Sequence, residues 1–495
     1  MGNLCAGADP LQKQKQIYTQ AGQGHIFENF DELSKDQQVH LLDELKSFNP
    51  DIINNLFKDL VLAKDAGKEE DKGPSVFERI EPELTQDTQD LYLEENAEEL
   101  TKLREAGLDL IRRGKVACLI LAGGQGSRLG FDHPKGMYDI GLPSKKSIFQ
   151  ILTERFFKVQ MLAHGSDKLT PAVQKCKLMI MTSAINHVET VNFFRENKFF
   201  GGQESSFVFF SQATLPAVDL EGKIIMKSPY ELQLSPNGNG ALFESINTNR
   251  TVKGHIQKTD YVQVIGVDNV MNKIMDPLQV GFTATKKLEA SLKACAKSSP
   301  DEKVGVVVKN NGKYDIVEYS ELSEADANKR DENGNLYLEL GSILIFMLSS
   351  KKLIQLSSDT KTLNKLYHKA FKKIEQWDKN VGKAVKPDVE NGYKFELFLH
   401  NFLPFCDDGK FGALKVVRAE EFGPVKNKDG AATDTPTTAR NLLLNSHTNW
   451  LRKLTEADDY WVNQTEVDLL LSYEGEDTTG QTFSAKAKEA MEAGE

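Results

Sequence analysis

An apolar run, Val116-Ala-Cys-Leu-Ile-Leu121, stops in Ala122-Gly-Gly-Gln-Gly-Ser-Arg-Leu-Gly130 and is followed by Pro134-Lys135-Gly136. Such a run reads as a buried strand feeding a loop that exposes its backbone. Glycine carries no Cβ, so main-chain N–H groups can approach an anion closely. Arg128 and Lys135 place positive charge on the same loop. A strand ending in amides and cations is a phosphate site, and it commits the chain to a sheet whose ligand lies at a strand's carboxyl end.

Two commoner phosphate loops are excluded. The dinucleotide fingerprint needs glycine at its first, third and sixth positions, but counting from Gly124 gives Gly126 and then Leu129. The P-loop needs Gly-Lys-Ser/Thr, whereas Lys135 follows Pro134 and precedes Gly136. What remains is a nucleotide-holding turn of a third kind.

From Val116 to about Phe346, apolar strands alternate with helical stretches, at Leu178–Met181, Phe207–Phe210, Tyr261–Val267, Val304–Val308 and Leu336–Phe346. The alternation predicts an α/β domain with a mostly parallel sheet flanked by helices. Asn310-Asn-Gly312 predicts a hairpin turn inside Val304–Tyr319. Gly123, Asp268 and Glu318 then fall at the carboxyl ends of strands. Upstream, Ser34 and Gln37 form a capping box before one helix, a second carries Ile52, Ile53, Leu56, Phe57 and Leu60, and a third runs from Ala97 to Arg113. A polar linker spans Ala63 to Ser75. Further helices are expected over Leu363–Trp377 and from Pro436, with a strand at Leu414–Arg418. The domains expected are a helical region 1–114, a central domain 115–390, and a small α+β domain 391–495 with a polar tail.

The net charge of -11 argues against a nucleic-acid partner, so any phosphate must be met by local cations. Five scattered cysteines without a CxxC pair suggest neither a disulfide framework nor a structural zinc. No membrane-spanning run or secretory signal is present, and a cytoplasmic protein is expected, with membrane attachment only if Gly2 and Cys5 are acylated. Lys68–Lys72 reads as solvated surface, Phe193, Phe194, Phe199 and Phe200 as packing, and His187 as structural or solvent-facing.

The glycine loop with Pro134-Lys-Gly-Met-Tyr-Asp139 resembles the signature of the eukaryotic UDP-N-acetylhexosamine pyrophosphorylases. Further blocks keep that family's order: Met181-Thr-Ser183, Gln212, Leu215-Pro-Ala217, Pro236-Asn-Gly-Asn-Gly240, Val267-Asp-Asn269, Val317-Glu-Tyr-Ser320, Phe422-Gly-Pro-Val-Lys-Asn427, Pro436-Thr-Thr-Ala-Arg440 and Ser472-Tyr-Glu-Gly475. The resemblance implies a nucleotide-diphospho-sugar transferase fold, with a Rossmann-like mixed sheet. It implies a uridylyltransferase that makes UDP-N-acetylglucosamine and pyrophosphate from UTP and N-acetylglucosamine 1-phosphate. It assigns Arg128, Lys135 and Lys426 to the phosphates, with Lys426 arriving from the C-terminal domain so that closure couples to chemistry. UTP falls to Leu121, Ala122, Gly123, Gly124, Gln212 and Gly238, and the sugar to Asn239, Glu318, Ser342 and Phe398. Asp268 is the candidate ligand for Mg2+ or Mn2+; its alternative role is capping the turn after its strand. Ser342 replaces a family asparagine and His400 a family aromatic, so both bear on sugar choice. Two other readings are a pyrophosphorylase for N-acetylgalactosamine or glucose 1-phosphate, and a non-catalytic UDP-sugar-binding relative. A monomer and a homodimer both remain open.

Overall fold

The computed structural model describes residues 10–63, 75–455 and 465–476. They gather into two compact units built from separated segments: a core unit (75–211, 245–358 and the described residues from 402 on) and a smaller unit (10–63, 212–244 and 359–401). Positions 114 and 390, the boundaries read along the chain, both fall inside a unit.

Among the described residues, eleven strands form the core unit's main sheet. They are β1 (Phe77–Glu78), β2 (Thr85–Asp87), β3 (Val116–Leu121), β4 (Lys177–Thr182), β5 (Phe207–Ser211), β6 (Tyr261–Gly266), β7 (Ala290–Ala296), β8 (Val306–Asn310), β9 (Lys313–Val317), β10 (Leu340–Ser349) and β11 (Phe411–Val416). The order is β2-β11-β7-β10-β6-β3-β4-β5. Strands β6, β3, β4 and β5 are mutually parallel, as are β7, β11 and β2. Antiparallel β10 separates the two blocks. This is the mixed, mostly parallel sheet expected. All six residues of β3 are buried, as a strand paired on both edges in a parallel block requires.

The hairpin turns at Asn311 (φ 49°) and Gly312 (φ 77°), the positive-φ pair that an Asn-Gly turn accommodates. Helix Ala97–Arg112 lies against helix Pro277–Thr285 through reciprocal glycines. A Cβ on Gly107 would meet the Pro277 carbonyl oxygen at 2.0 Å, and one on Gly281 the Leu103 oxygen at 1.7 Å. Only glycine permits that approach. Helix Ile148–Ala163 is almost wholly buried, and its Phe149 packs with Phe194 in the expected aromatic cluster. His187 opens a helix and hydrogen-bonds the Thr182 hydroxyl at 2.7 Å, a structural role. The helix from Pro436 runs to Thr455.

In the smaller unit, the Ser34–Gln37 capping box opens helix Lys35–Lys46, and Pro50–Phe57 follows. The helix expected over Leu363–Trp377 is not formed. A short helix ends at Lys365, Tyr367–Lys372 pairs antiparallel with Gly392–Leu397, and Gln376–Asp378 is again strand. Pairing buries Tyr367 opposite Leu397, and that gain overrides the local helical spacing. Strands β8 and β10 also start two and four residues later than expected. Gly2, Cys5 and Lys68–Lys72 lie outside the described residues, as does most of the linker and of the polar tail.

Candidate active site

In the core unit, β3 delivers its loop between two neighbours. Ala122 N–H donates to Met181 O at 2.7 Å, and Val267 N–H donates to Leu121 O at 3.2 Å. The loop then folds back on itself, Gly126 N–H bonding His133 O (2.9 Å) and Lys135 N–H bonding Gly124 O (3.2 Å). Arg128 stands exposed in the turn Ser127–Leu129, and Lys135 is half-buried. Neither cation is ion-paired with a carboxylate among the described residues, and the N–H groups of Gly123 and Gly124 donate to no acceptor there. Amides and cations without protein partners are thus gathered on one loop.

Asp268 lies two residues past β6 and is half-buried. Its carboxylate accepts no hydrogen bond among the described residues, and the turn-capping role falls to Asn269, whose Oδ1 accepts from Met271 N–H at 3.1 Å. Val425 N–H donates to Asp268 O at 2.9 Å, which brings Lys426 beside it. Lys426 thus belongs to the core unit and not to a separate C-terminal domain. Its ammonium sits 3.5 Å from Asp434 and 5.5 Å over the Phe422 ring, and the half-exposed pairing is a weak one. Glu318 and Ser342 both lie against Gly305. Ser342 N–H bonds Gly305 O at 2.9 Å, and a Cβ on Gly305 would lie 3.9 Å from the exposed Glu318 carboxylate.

In the smaller unit, Gly238, Asn239 and Phe398 are brought together. Gly238 (φ +87°) lies so near Leu397 that a Cβ would meet its carbonyl oxygen at 2.3 Å. Asn239 Oδ1 accepts from Leu399 N–H at 2.8 Å, so half of this candidate sugar contact is already engaged. Phe398 stacks on His400 with ring centroids 5.7 Å apart. Half-buried Gln212 precedes the strand Thr214–Pro216, which pairs with Leu234–Pro236 leading into the Gly238 loop.

Sequence reasoning missed the residues that hold these groups. Asn186, fully buried, donates to Ala122 O at 3.0 Å and anchors the glycine loop. Arg155, on helix Ile148–Ala163, donates to Val270 O (2.8 Å) and Asn272 O (3.0 Å) and fixes the Asp268 turn. Burial lowers its guanidinium to about 10, still charged at neutral pH. Asn237 donates to Glu244 at 2.6 Å, whose carboxyl burial raises above the usual range. The Ser183 N–H and hydroxyl both donate to Asn186 Oδ1, at 2.8 and 3.1 Å, which ties Asn186 to the Met181–Ser183 segment three residues before it.

A family model described as UTP–glucose-1-phosphate uridylyltransferase matches residues 54–466. The chain belongs to this family. Among similar members of the uridylyltransferase family is the probable UDP-N-acetylglucosamine pyrophosphorylase of Dictyostelium discoideum, 36% identical over 470 residues, 93% of each chain. The UDP-N-acetylglucosamine pyrophosphorylase of Saccharomyces cerevisiae is 35% identical over 470 residues, 93% of this chain and 95% of that one. The solved structure of the uridine diphosphate N-acetylglucosamine pyrophosphorylase from Trypanosoma brucei superimposes with a TM-score of 0.82 at 28% identity, covering 99% of this chain and 97% of that one.

Proposed function

We propose that this uridylyltransferase forms UDP-N-acetylglucosamine and pyrophosphate from UTP and N-acetylglucosamine 1-phosphate. The observation that carries the reading is the glycine loop: in a chain of net charge -11, Arg128 and Lys135 stand without a carboxylate partner among the described residues. The relatives in Dictyostelium and yeast support the sugar.

A phosphate oxygen of the sugar 1-phosphate attacks the α-phosphorus of UTP in line. A P–O bond forms, the bond to the β-phosphate oxygen breaks, and pyrophosphate leaves with the electron pair. The nucleophile is already anionic, so no general base is needed, and the barrier is repulsion between anions. Arg128 spans phosphate oxygens as a planar fork, Lys135 adds a compact charge from the same loop, and Lys426 adds a third. Asp268 would hold Mg2+, or Mn2+ in its place. Its carboxylate is unbonded, and among the described residues no three His, Cys, Asp or Glu side chains converge into a cage. That suits an ion carried mainly by substrate phosphates and one carboxylate. When bound, the ion neutralises charge on phosphate oxygens. Leu121–Gly124, Gln212 and Gly238 are proposed for UTP, and Asn239, Glu318, Ser342 and Phe398 for the sugar.

Pyrophosphate release from UTP, measured with N-acetylglucosamine, N-acetylgalactosamine and glucose 1-phosphates, tests the proposal. The first should give the highest kcat/KM. Preference for another sugar replaces the substrate, and release with none leaves only a UDP-sugar-binding role. No helix among the described residues is long and apolar enough to cross a membrane. We propose a cytoplasmic site of action, with acylation at Gly2 and Cys5 open to mass spectrometry of the native N-terminus.

A further inference from the structure

Asn269 is 3% exposed and uses its full hydrogen-bonding capacity. Its Oδ1 accepts from Met271 N–H (3.1 Å) and Gly423 N–H (2.9 Å). Its Nδ2 donates to Glu421 O (2.7 Å) and Asn272 Oδ1 (3.0 Å). Two of those partners lie in the turn after β6 and two in the segment that leads to Lys426, about 150 residues further along the chain. Backbone bonds continue the join on either side, Val270 N–H to Gly423 O at 3.3 Å and Val425 N–H to Asp268 O at 2.9 Å. Below it the Glu421 carboxylate receives Lys293 at 2.6 Å and Lys273 at 3.4 Å. This anchors the Lys426 segment in the buried interior.

We infer that Asn269 is a positioning residue that welds the Asp268 turn to the Lys426 segment, so that the candidate metal carboxylate and the candidate phosphate lysine are presented as one rigid piece. All four Asn269 bonds are made to protein groups, so it acts through the two residues it spaces. The geometry differs from that of a lysine delivered by closure, since the join is made inside one unit. The catalytic part of the inference rests on the uridylyltransferase reading; the structural part does not.

Hydrogen exchange resolved to single amides tests the join without any turnover. In full-length Asn269→Ala, the amides of Gly423 and Val425 should exchange at least tenfold faster. Those of Lys426 and Asn427, which bond Asp434 O at 2.7 and 2.9 Å, should keep their rates. Unchanged exchange at Val425, or equal acceleration at all four, overturns the inference. A double-mutant cycle tests the catalytic consequence. Asn269→Ala should lower kcat ten- to a hundredfold with the KM for UTP moving less than threefold. In a Lys426→Ala background the same change should cost less than threefold. Multiplicative losses would show that Asn269 does not act through Lys426. If Asn269→Ala does not fold by circular dichroism, Asn269→Ser, which keeps one donor and acceptor, enters both experiments with the same criteria. A wild-type protein inactive with every sugar 1-phosphate would defeat the functional reading, while exchange at Val425 would still decide whether the join exists.

Discussion

The glycine loop after β3 and the turn after β6 lie side by side and are built on opposite plans. The first leaves part of its hydrogen-bonding and charge capacity unspent, with the side chains of Arg128 and Lys135 and the amides of Gly123 and Gly124 lacking protein partners among the described residues. The second spends nearly all of it internally, Asn269 alone making four bonds and Arg155 two more. One holds unpaired donors and cations, and the other is a scaffold that presents two side chains. Substitutions of the unpaired groups of the first should therefore cost turnover with the fold intact, and substitutions in the second should cost both.

The largest effect belongs to Arg128→Ala. Loss of a charge-neutralising donor should lower kcat by a factor on the order of 100 to 1,000, while the thermal midpoint stays within about a degree of wild type. Pyrophosphate release and differential scanning calorimetry on one preparation check both halves; near-normal turnover would remove Arg128 from the site. Arg155→Met should break the scaffold instead. It strands the carbonyls of Val270 and Asn272 in a buried setting, a cost of about 3 kcal/mol in denaturant unfolding, with turnover falling as well because Asp268 is no longer held.

A pair of glycines, both on the loop, draws the same contrast at smaller scale, Gly136 packed and Gly124 open. A Cβ on Gly136 would lie 2.4 Å from the Phe149 ring, so Gly136→Ala should destabilise by about 1 to 3 kcal/mol through overpacking. A Cβ on Gly124 would meet nothing within 4 Å, so Gly124→Ala should leave stability within about 0.5 kcal/mol of wild type and still raise the KM for UTP by crowding the approach of phosphate. Equal unfolding midpoints for the two variants would erase the distinction.

These plans explain what was legible in the sequence. The glycine loop is contiguous: strand, glycines, Arg128 and Lys135 all fall within 21 residues, so local spacing revealed it. The scaffold joins positions 155, 269 and 421–425, and an asparagine that ties distant backbones looks like any other asparagine until the chain folds. Strand β3 was readable because burial on both faces demands an unbroken apolar run. Tyr367–Lys372 was not, because its strand character comes from pairing with Gly392–Leu397 rather than from its own residues. Likewise the units interleave, so a division read along the chain could not match them.

The smallest effect comes from His447, which borders the scaffold. Its ring is fully buried, and Nδ1 accepts from Val467 N–H at 3.1 Å, which requires the neutral form. Burial, reinforced by the charges of Arg155 and Lys146, pushes the imidazole down to about 3. In the unfolded chain the same group titrates near about 6.5. Between those values the unfolded state binds the proton and the native state does not. Stability from this group is therefore present in full above about pH 6.5 and lost as pH falls, at about 1.4 kcal/mol per pH unit. Urea unfolding at pH 7.0 and 5.5 should show that loss in wild type and a smaller one in His447→Gln, whose neutral amide has no proton to gain. The difference between the two proteins isolates His447 from carboxylates that titrate in the same range. An identical pH dependence in both would place a charge-accepting group beside His447 and weaken the view that this side of the site is closed and fully spent.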